Sequence, residues 1–382
     1  MRAMRLLLGL ALLLSLATLA LGAVPTRAAV SLTVSPALIE LDAKPGGKGA
    51  QAVTITNGGD APLDLAVAVE PYRSATGDQS ATGWLTVEPA ALTVEPGQQG
   101  SVTVTITVPK KLKSGGRYAA VSSTTKPNGG GNGAAMAGKI GVPFMIAVKG
   151  SGKLTEKATL AQFAPVMAPD GRIAFAALVR NTGNLHLRPT GEIDLTRAGG
   201  GSLGKIAFQS SVAILPGTDG LLVSESSVPL PSGASYRAEA VLEYGGNSPL
   251  KRDVTFAPKP ALAVAGTSVC ENLDRGPTMR VHLRNDGTLG LQPRIQVAVQ
   301  NSNKASMGVA SPTSPVVVWP GETSEVVIDV PKRLDSGAYT AMLRIDLSAP
   351  DSSGRTAVPP IEQPVPFQIG GLGEGAAPLC SA

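Results

Sequence analysis

Two short signals recur three times along this chain at nearly one spacing, and a repeat of that kind restricts the fold before any other property is considered. The first is an apolar stretch ending in Asn-x-Gly: VTITNGGDAPLDLAVAV from Val53, ALVRNTGNLHLRPTGEIDL from Ala177 and VHLRNDGTLGLQPRIQVAV from Val281. The second is Pro-Gly followed by alternation: VEPGQQGSVTVTITVPKKLKSGGRYAAV, ILPGTDGLLVSESSVPLPSGASYRAEAV and VWPGETSEVVIDVPKRLDSGAYTAML. Asn57, Asn181 and Asn285 are 124 and 104 residues apart, and Pro96, Pro216 and Pro320 are 120 and 104 apart. Tyr118, Tyr236 and Tyr339 are 118 and 103 apart. Three landmarks that keep one period predict three homologous domains.

The local pattern sets the domain type. In SVTVTITVP, Val102, Val104, Ile106 and Val108 face one way and the intervening polar residues the other, which is a half-buried strand. SEVVIDVP repeats it less cleanly, and each such strand ends in Pro, which cannot donate a ladder hydrogen bond. Asn-x-Gly and Pro-Gly supply turns, because Gly and Asn tolerate positive φ. Charged residues are 16% and aromatics 3%, and no long amphipathic helical stretch occurs. The expected fold is all-β, with three tandem immunoglobulin-like β-sandwich domains. The Tyr after each Ser-Gly is read as structural, either a tyrosine-corner residue or an ordinary strand aromatic.

Residues 1–29 read as a signal peptide. Arg2 and Arg5 precede the apolar LLLGLALLLSLATLALGAV, and cleavage is placed after Gly22 or Ala28. The alternative is an uncleaved membrane anchor, the one expected route of membrane contact. Sandwich one is expected over residues 30–150, sandwich two over 151–258, sandwich three over 259–370, and a flexible tail over 371–382. KPNGGGNGAAMAGK, Lys126–Lys139, is expected to be a loop, since it lacks the ending of a phosphate-binding loop.

Removing the leader takes Lys+Arg from 33 to 30 against 28 acids, a net charge of +2, which does not suit a general nucleic-acid-binding surface. Cys270 and Cys380 are the two cysteines, and an exported chain can keep them as a disulfide; the alternative is two free thiols. No G-x-S-x-G elbow, HExxH or metal-spaced Cys/His cluster occurs, and paired acids do not accumulate in one loop. Asp351–Gly354 has too few acidic oxygens for a calcium loop. The chain is therefore expected to be no enzyme, with no catalytic residue, cofactor or metal.

The densest polar run is NTGNLHLRPTGEI, from Asn181 to Ile193. Aligning the three Asn-x-Gly turns places His186 opposite Pro62 and Gly290, outside the shared frame, while Leu187 matches Leu63 and Leu291. The run is read mainly as an inter-strand turn, with Asn184, His186, Arg188 and Glu192 as a candidate binding edge. Lys110, Lys111 and Lys113 form a basic cluster, at the same place as Lys332 and Arg333, suited either to anionic wall polymers or to protecting a strand edge. Trp84 and Trp319 are expected in cores, with sugar stacking as the alternative.

These residues carry a resemblance. SLTVSPALIELDAKPGGKGAQAVTITNGGDAPLDLAV, GWLTVEPAALTVEPGQQGSVTVTITVP and SGGRYAAV resemble the N-terminal domain of the WxL-interacting proteins of Gram-positive surfaces, a domain associated with peptidoglycan binding. VRNTGNLHLRPTGEIDLTRAGG with ILPG is similar to the second domain of that family, and the third repeat is additional. The resemblance spans about residues 30–250 and implies a secreted or cell-surface protein that contacts peptidoglycan or another surface protein. A chaperone-like assembly protein working by strand augmentation, or a structural spacer, are the other expectations.

Overall fold

A computed structural model describes residues 31–125, 138–209, 212–246, 248–271, 276–313, 316–330, 333–348, 358–370 and 377–378. The expected leader, most of the Lys126–Lys139 loop, Lys332, Asp351–Gly354 and Cys380 lie outside the described residues. The chain divides into two compact units, Met1–Leu154 and Thr155–Ala382. Among the described residues the regular structure is β, apart from two single 3-10 turns, Gly77–Gln79 and Thr82–Trp84.

The first unit is one sandwich. Its strands are β1 (Leu32–Ser35), β2 (Ile39–Ala43), β3 (Lys48–Asn57), β4 (Leu63–Glu70), β5 (Leu85–Glu88), β6 (Ala91–Val94), β7 (Gln99–Thr107), β8 (Gly115–Thr125) and β9 (Lys139–Val148). They form a sheet of order β1-β3-β7-β5 and a second of order β2-β9-β8-β4-β6. The alternation read along β7 is the observed one: Val102, Val104, Ile106 and, just past the strand, Val108 are buried, and the intervening Thr residues are exposed.

The second unit holds two sandwiches. The strands of one are β10 (Ala158–Met167), β11 (Ile173–Asn181), β12 (Thr190–Arg197), β13 (Ser202–Gln209), β14 (Asp219–Val223), β15 (Tyr236–Glu243) and β16 (Leu250–Phe256). Those of the other are β17 (Leu262–Cys270), β18 (Thr278–Asn285), β19 (Arg294–Asn301), β20 (Ser306–Ala310), β21 (Thr323–Asp329), β22 (Gly337–Asp346) and β23 (Ile361–Ile369). Each pairs a three-stranded sheet, β10-β11-β14 or β17-β18-β21, with a four-stranded one, β13-β12-β15-β16 or β20-β19-β22-β23. In the first sandwich β5 covers the outer edge of β7; the equivalent strands β14 and β21 end their sheets.

The two repeated sequence signals are halves of one structure. Asn57, Asn181 and Asn285 end β3, β11 and β18 and are fully buried. The Asn57 Nδ2 donates to the carbonyls of Ala61 (2.8 Å) and Val94 (2.9 Å), and its Oδ1 accepts from the Gly59 N–H (2.9 Å). Asn181 does the same with Leu185 (2.8 Å), Ile214 (2.8 Å) and Gly183 (2.9 Å). Asn285 repeats it with Leu289 (2.7 Å), Val318 (2.8 Å) and Gly287 (2.9 Å). The Asn backbone carbonyls accept from Gly97, Gly217 and Gly321, the glycines of the Pro-Gly turns. Those glycines have φ of 71°, 77° and 77°, a conformation L side chains adopt at a steric cost.

The tyrosines close the other end. Tyr118 and Tyr236 are fully buried. The Tyr236 hydroxyl donates to the Pro231 carbonyl (3.4 Å), and that of Tyr339 to Asp335 (2.9 Å), the short upstream reach of a tyrosine corner. Cys270 is disulfide-bonded, not a free thiol. Within the expected tail, Ala377 donates to the Gln368 carbonyl and Pro378 accepts from Glu271, so these two residues are fastened to the third sandwich.

Each buried carboxamide makes three hydrogen bonds, and removing it leaves two carbonyls and one N–H without that partner. Asn285→Ala is expected to destabilise the second unit by about 3 kcal/mol, since an abandoned buried group costs roughly 1–3 kcal/mol and the structure relaxes around part of the loss. Urea unfolding followed by circular dichroism checks this; a loss below about 1 kcal/mol would show that the knot is not structural.

Candidate binding surfaces

The polar run in the second sandwich begins with the buried amide of Asn181 and continues into β12. Its candidate residues have unlike surroundings. The Asn184 Oδ1 accepts from the Thr155 N–H (2.7 Å) and its own N–H donates to the Thr155 carbonyl (3.0 Å), which pins the segment entering the sandwich. Glu192 is exposed on β12 and is ion-paired with Lys205 of the neighbouring β13, an interaction that raises the Lys205 ammonium above its ordinary range. His186 and Arg188 are half-buried on the turn and strand entry. Leu187, between them, is buried and exchanges backbone hydrogen bonds with Ile214. The turn thus brings Asn184, His186 and Arg188 near one another, whereas Glu192 belongs to the sheet surface.

The place opposite His186 in the third sandwich is Gly290, and there the structure does something the sequence did not announce. The Gly290 N–H donates to the Pro165 carbonyl (2.7 Å), and its carbonyl accepts from the Met167 N–H (2.9 Å). The end of β10 therefore pairs with the turn of the third sandwich through a bridge between Val166 and Gly290. A Cβ on residue 290 would lie 2.7 Å from the Val166 Cγ1, so the approach requires glycine. Trp319 packs with Ala164, Val166, Ala174 and Ala176 on the same contact, while Trp84 lies against the first core. A cleft of about 470 Å³ adjoins this weld. Of its polar lining, Gln162 donates to Glu322 and Arg252 donates to the Ala161 carbonyl (2.9 Å).

Lys110, Lys111 and Lys113 are exposed at one pole of the first sandwich, just past the end of β7. Three chain segments meet there. Gly46 donates to the Pro109 carbonyl (3.0 Å) and Val108 to Gly47 (2.9 Å). Ser151 donates to Leu112 (3.0 Å), and Ser114 to Ser151 (2.9 Å). These bonds bring Lys44 and Lys48, both exposed, to the pole that carries the lysine cluster. Among the described residues, none of these five lysines lies within ion-pairing distance of a carboxylate. Lys149 also lies here and is paired with Asp42. Lys44 and Lys48 escaped sequence reading because they precede the cluster by more than sixty residues. The readable signal was the pair of Gly-containing turns that the topology stacks together. Arg333, at the equivalent place in the third sandwich, is exposed.

Among the described residues no helix is long and apolar enough to cross a membrane, and no group of three or more His, Cys, Asp or Glu is placed to hold a metal ion. No protein-family model matches the chain, and no curated protein matches it. Solved structures do. A Salmonella enterica SafA pilin in complex with the SafB chaperone aligns at 12% identity and TM-score 0.35, over 60% of this chain and 99% of that one. The E. coli chaperone DraB aligns at 14% and 0.31, over 59% and 97%. A Pseudomonas aeruginosa chaperone, CupB2, aligns at 11% and 0.30, over 59% and 99%. The similarity is to pilus-chaperone immunoglobulin-like sandwiches at low identity, and concerns the fold alone.

Two substitutions at the aligned place separate frame from surface. Gly290→Leu is expected to open the contact between the second and third sandwiches, read as faster protease cleavage near residues 257–261 and a broader scattering envelope. His186→Ala is expected to change stability by less than about 1 kcal/mol, because the residue lies outside the shared frame. Equal protease resistance in the wild type and the Gly290 variant would remove the weld.

Proposed function

We propose that the protein is a non-enzymatic binding protein of a bacterial envelope, exported by residues 1–29, that contacts a wall polymer through its first sandwich. This is the role that the resemblance to WxL-interacting proteins implies. One observation carries the reading. At the lysine pole of the first sandwich, surface loops are fastened by their backbones and leave five cationic side chains to solvent. Elsewhere the polar groups that first suggest a site hold the frame together, as Asn181 and Asn184 do. Binding residues concentrate in loops held by a rigid scaffold, and these loops meet that description.

A second reading rests on a different feature. β14 and β21 end their sheets, and Leu221 and Val223 on β14 and Val327 on β21 are more than a third exposed. An open edge beside apolar side chains is suited to adding a partner's strand. In this reading the protein holds another surface protein by strand augmentation.

Co-sedimentation with purified cell walls tests the first reading. The mature chain is expected to pellet with walls and to be released by salt, since contacts between exposed charges are screened at roughly 8–10 Å at physiological ionic strength. Retention in the supernatant at low salt, with capture of a surface protein that a proline in β14 abolishes, would replace it by the second.

A further inference from the structure

We infer that the lysine pole of the first sandwich binds a linear polyanion bearing phosphodiester groups; this rests on the wall-binding reading and names the ligand chemistry. The internal repeat supplies the control. The equivalent turns of the other sandwiches carry this charge in part or not at all. In VPKKLKSG the three lysines stand between Pro109 and Ser114, whereas VPLPSG of the second repeat has no charge there. VPKRLDSG of the third keeps Lys332 and Arg333 at the places of Lys110 and Lys111 but puts Asp335 where the first has Lys113. The turn leading into β3 carries Lys44 and Lys48, whereas the one leading into β11 mixes Asp170 with Arg172. The scaffold is shared, and the first copy alone joins three lysines of this turn with Lys44 and Lys48.

The charge is also segregated. From Pro96 to Thr155 the sequence has no Asp or Glu, yet holds seven Lys and Arg117. Arg117 is buried, its Nη1 donating to the Gly116 carbonyl (2.9 Å) and its Nη2 to Lys113 (3.2 Å). Among the described residues no carboxylate offsets it, so a fixed positive charge lies beneath the loop that carries Lys113. Asp60 and Glu95 lie at the opposite, Asn57 end of the sandwich, about 30 Å away along β3 at ~3.4 Å per residue. On a mature chain of net charge near +2, a pole of five lysines, whose carboxylate Asp42 is paired with Lys149, focuses an anion where the average charge attracts none.

The residue type suits a mobile anion. Fixed, bidentate contacts to carboxylate or phosphate are made by arginine, and the one arginine here points its donors at carbonyls. Ammonium groups are point charges that meet a tetrahedral phosphate in any orientation, which suits a repeating, mobile chain of phosphodiesters. A membrane surface is the less suited partner. All exposed large apolar residues among those described lie in the second unit, and Leu112 packs against the first core, so the pole has nothing to insert between lipids.

The test uses the mature chain and four probes: inorganic polyphosphate, polyglutamate, phosphatidylglycerol vesicles, and purified walls before and after hydrofluoric acid removes their phosphodiester polymers. Polyphosphate is expected to bind with a log-affinity against log-salt slope of about −3, near 0.7 per phosphate neutralised on a flexible strand. Replacing Lys110, Lys111 and Lys113 by Gln is expected to weaken it about 100-fold, at roughly fivefold per lysine. The Lys→Arg triple variant and Lys251→Gln are expected to keep most of it. Polyglutamate bound as tightly, vesicles bound through the same lysines, or a Gln variant that binds unchanged would each overturn the inference. Equal pelleting by stripped and untreated walls would overturn it while leaving the wall-binding reading intact. Binding of polyphosphate without any pelleting would do the reverse.

Discussion

A buried carboxamide holds each sandwich of this protein together. A strand that leaves its sheet exposes carbonyls and N–H groups that water no longer reaches, and such groups are costly unless paired. Asn57, Asn181 and Asn285 meet that demand at one point per sandwich. Each side chain satisfies two carbonyls and one N–H, and each backbone carbonyl takes the N–H of a Pro-Gly turn arriving from about forty residues later. No other side chain is short enough to bend back on its own turn and still present two donors and an acceptor. Aspartate would bring no donors, and glutamine would add a methylene. The register of β3 with β7, β11 with β14 and β18 with β21 follows from this clasp together with the buried alternation on their inner faces.

Because the clasp is local, the residues around it are free to differ, and the sandwiches differ there. The position that is Pro62 in the first and His186 in the second is Gly290 in the third, where the missing side chain admits the end of β10. Absence of a Cβ joins two sandwiches into one unit, and Trp319 fills the apolar surface that the approach creates. His186, by contrast, is half-buried on its turn, at a place the other two sandwiches fill with Pro62 and Gly290.

Much of the fold was legible because period-two alternation and turn chemistry are local signals. The strand over Ser101–Pro109, the Asn-x-Gly and Pro-Gly turns and the structural tyrosines could all be read from a dozen residues at a time. What could not be read depends on which distant segments meet. Nothing near Gly290 names Val166, and Trp319 looks like any core aromatic until its neighbours are known to come from β10 and β11. The fastening of Ala377 and Pro378 to Gln368 and Glu271 is likewise invisible in a tail of small residues. The candidate surface was half legible: Lys110, Lys111 and Lys113 stand together in sequence, but Lys44 and Lys48 join them only through the hydrogen bonds of Gly46 and Gly47.

The same physics explains why the residues that look most like a site are not where binding is best placed. An Asn-rich turn draws attention because it concentrates hydrogen-bonding groups, yet a β-sandwich must close each strand end with such groups, and once closed they have little left to offer a ligand. The amide of Asn181 is consumed by Leu185, Ile214 and Gly183, and Asn184 by Thr155. Lysines at a pole are in the opposite position. Their loops are fastened by backbone bonds and by the side chains of Ser114 and Arg117, so the lysine side chains are left with their charge directed at solvent. In a fold built by repeating one clasp, the residues that vary without touching the clasp are the ones left to set what each copy binds.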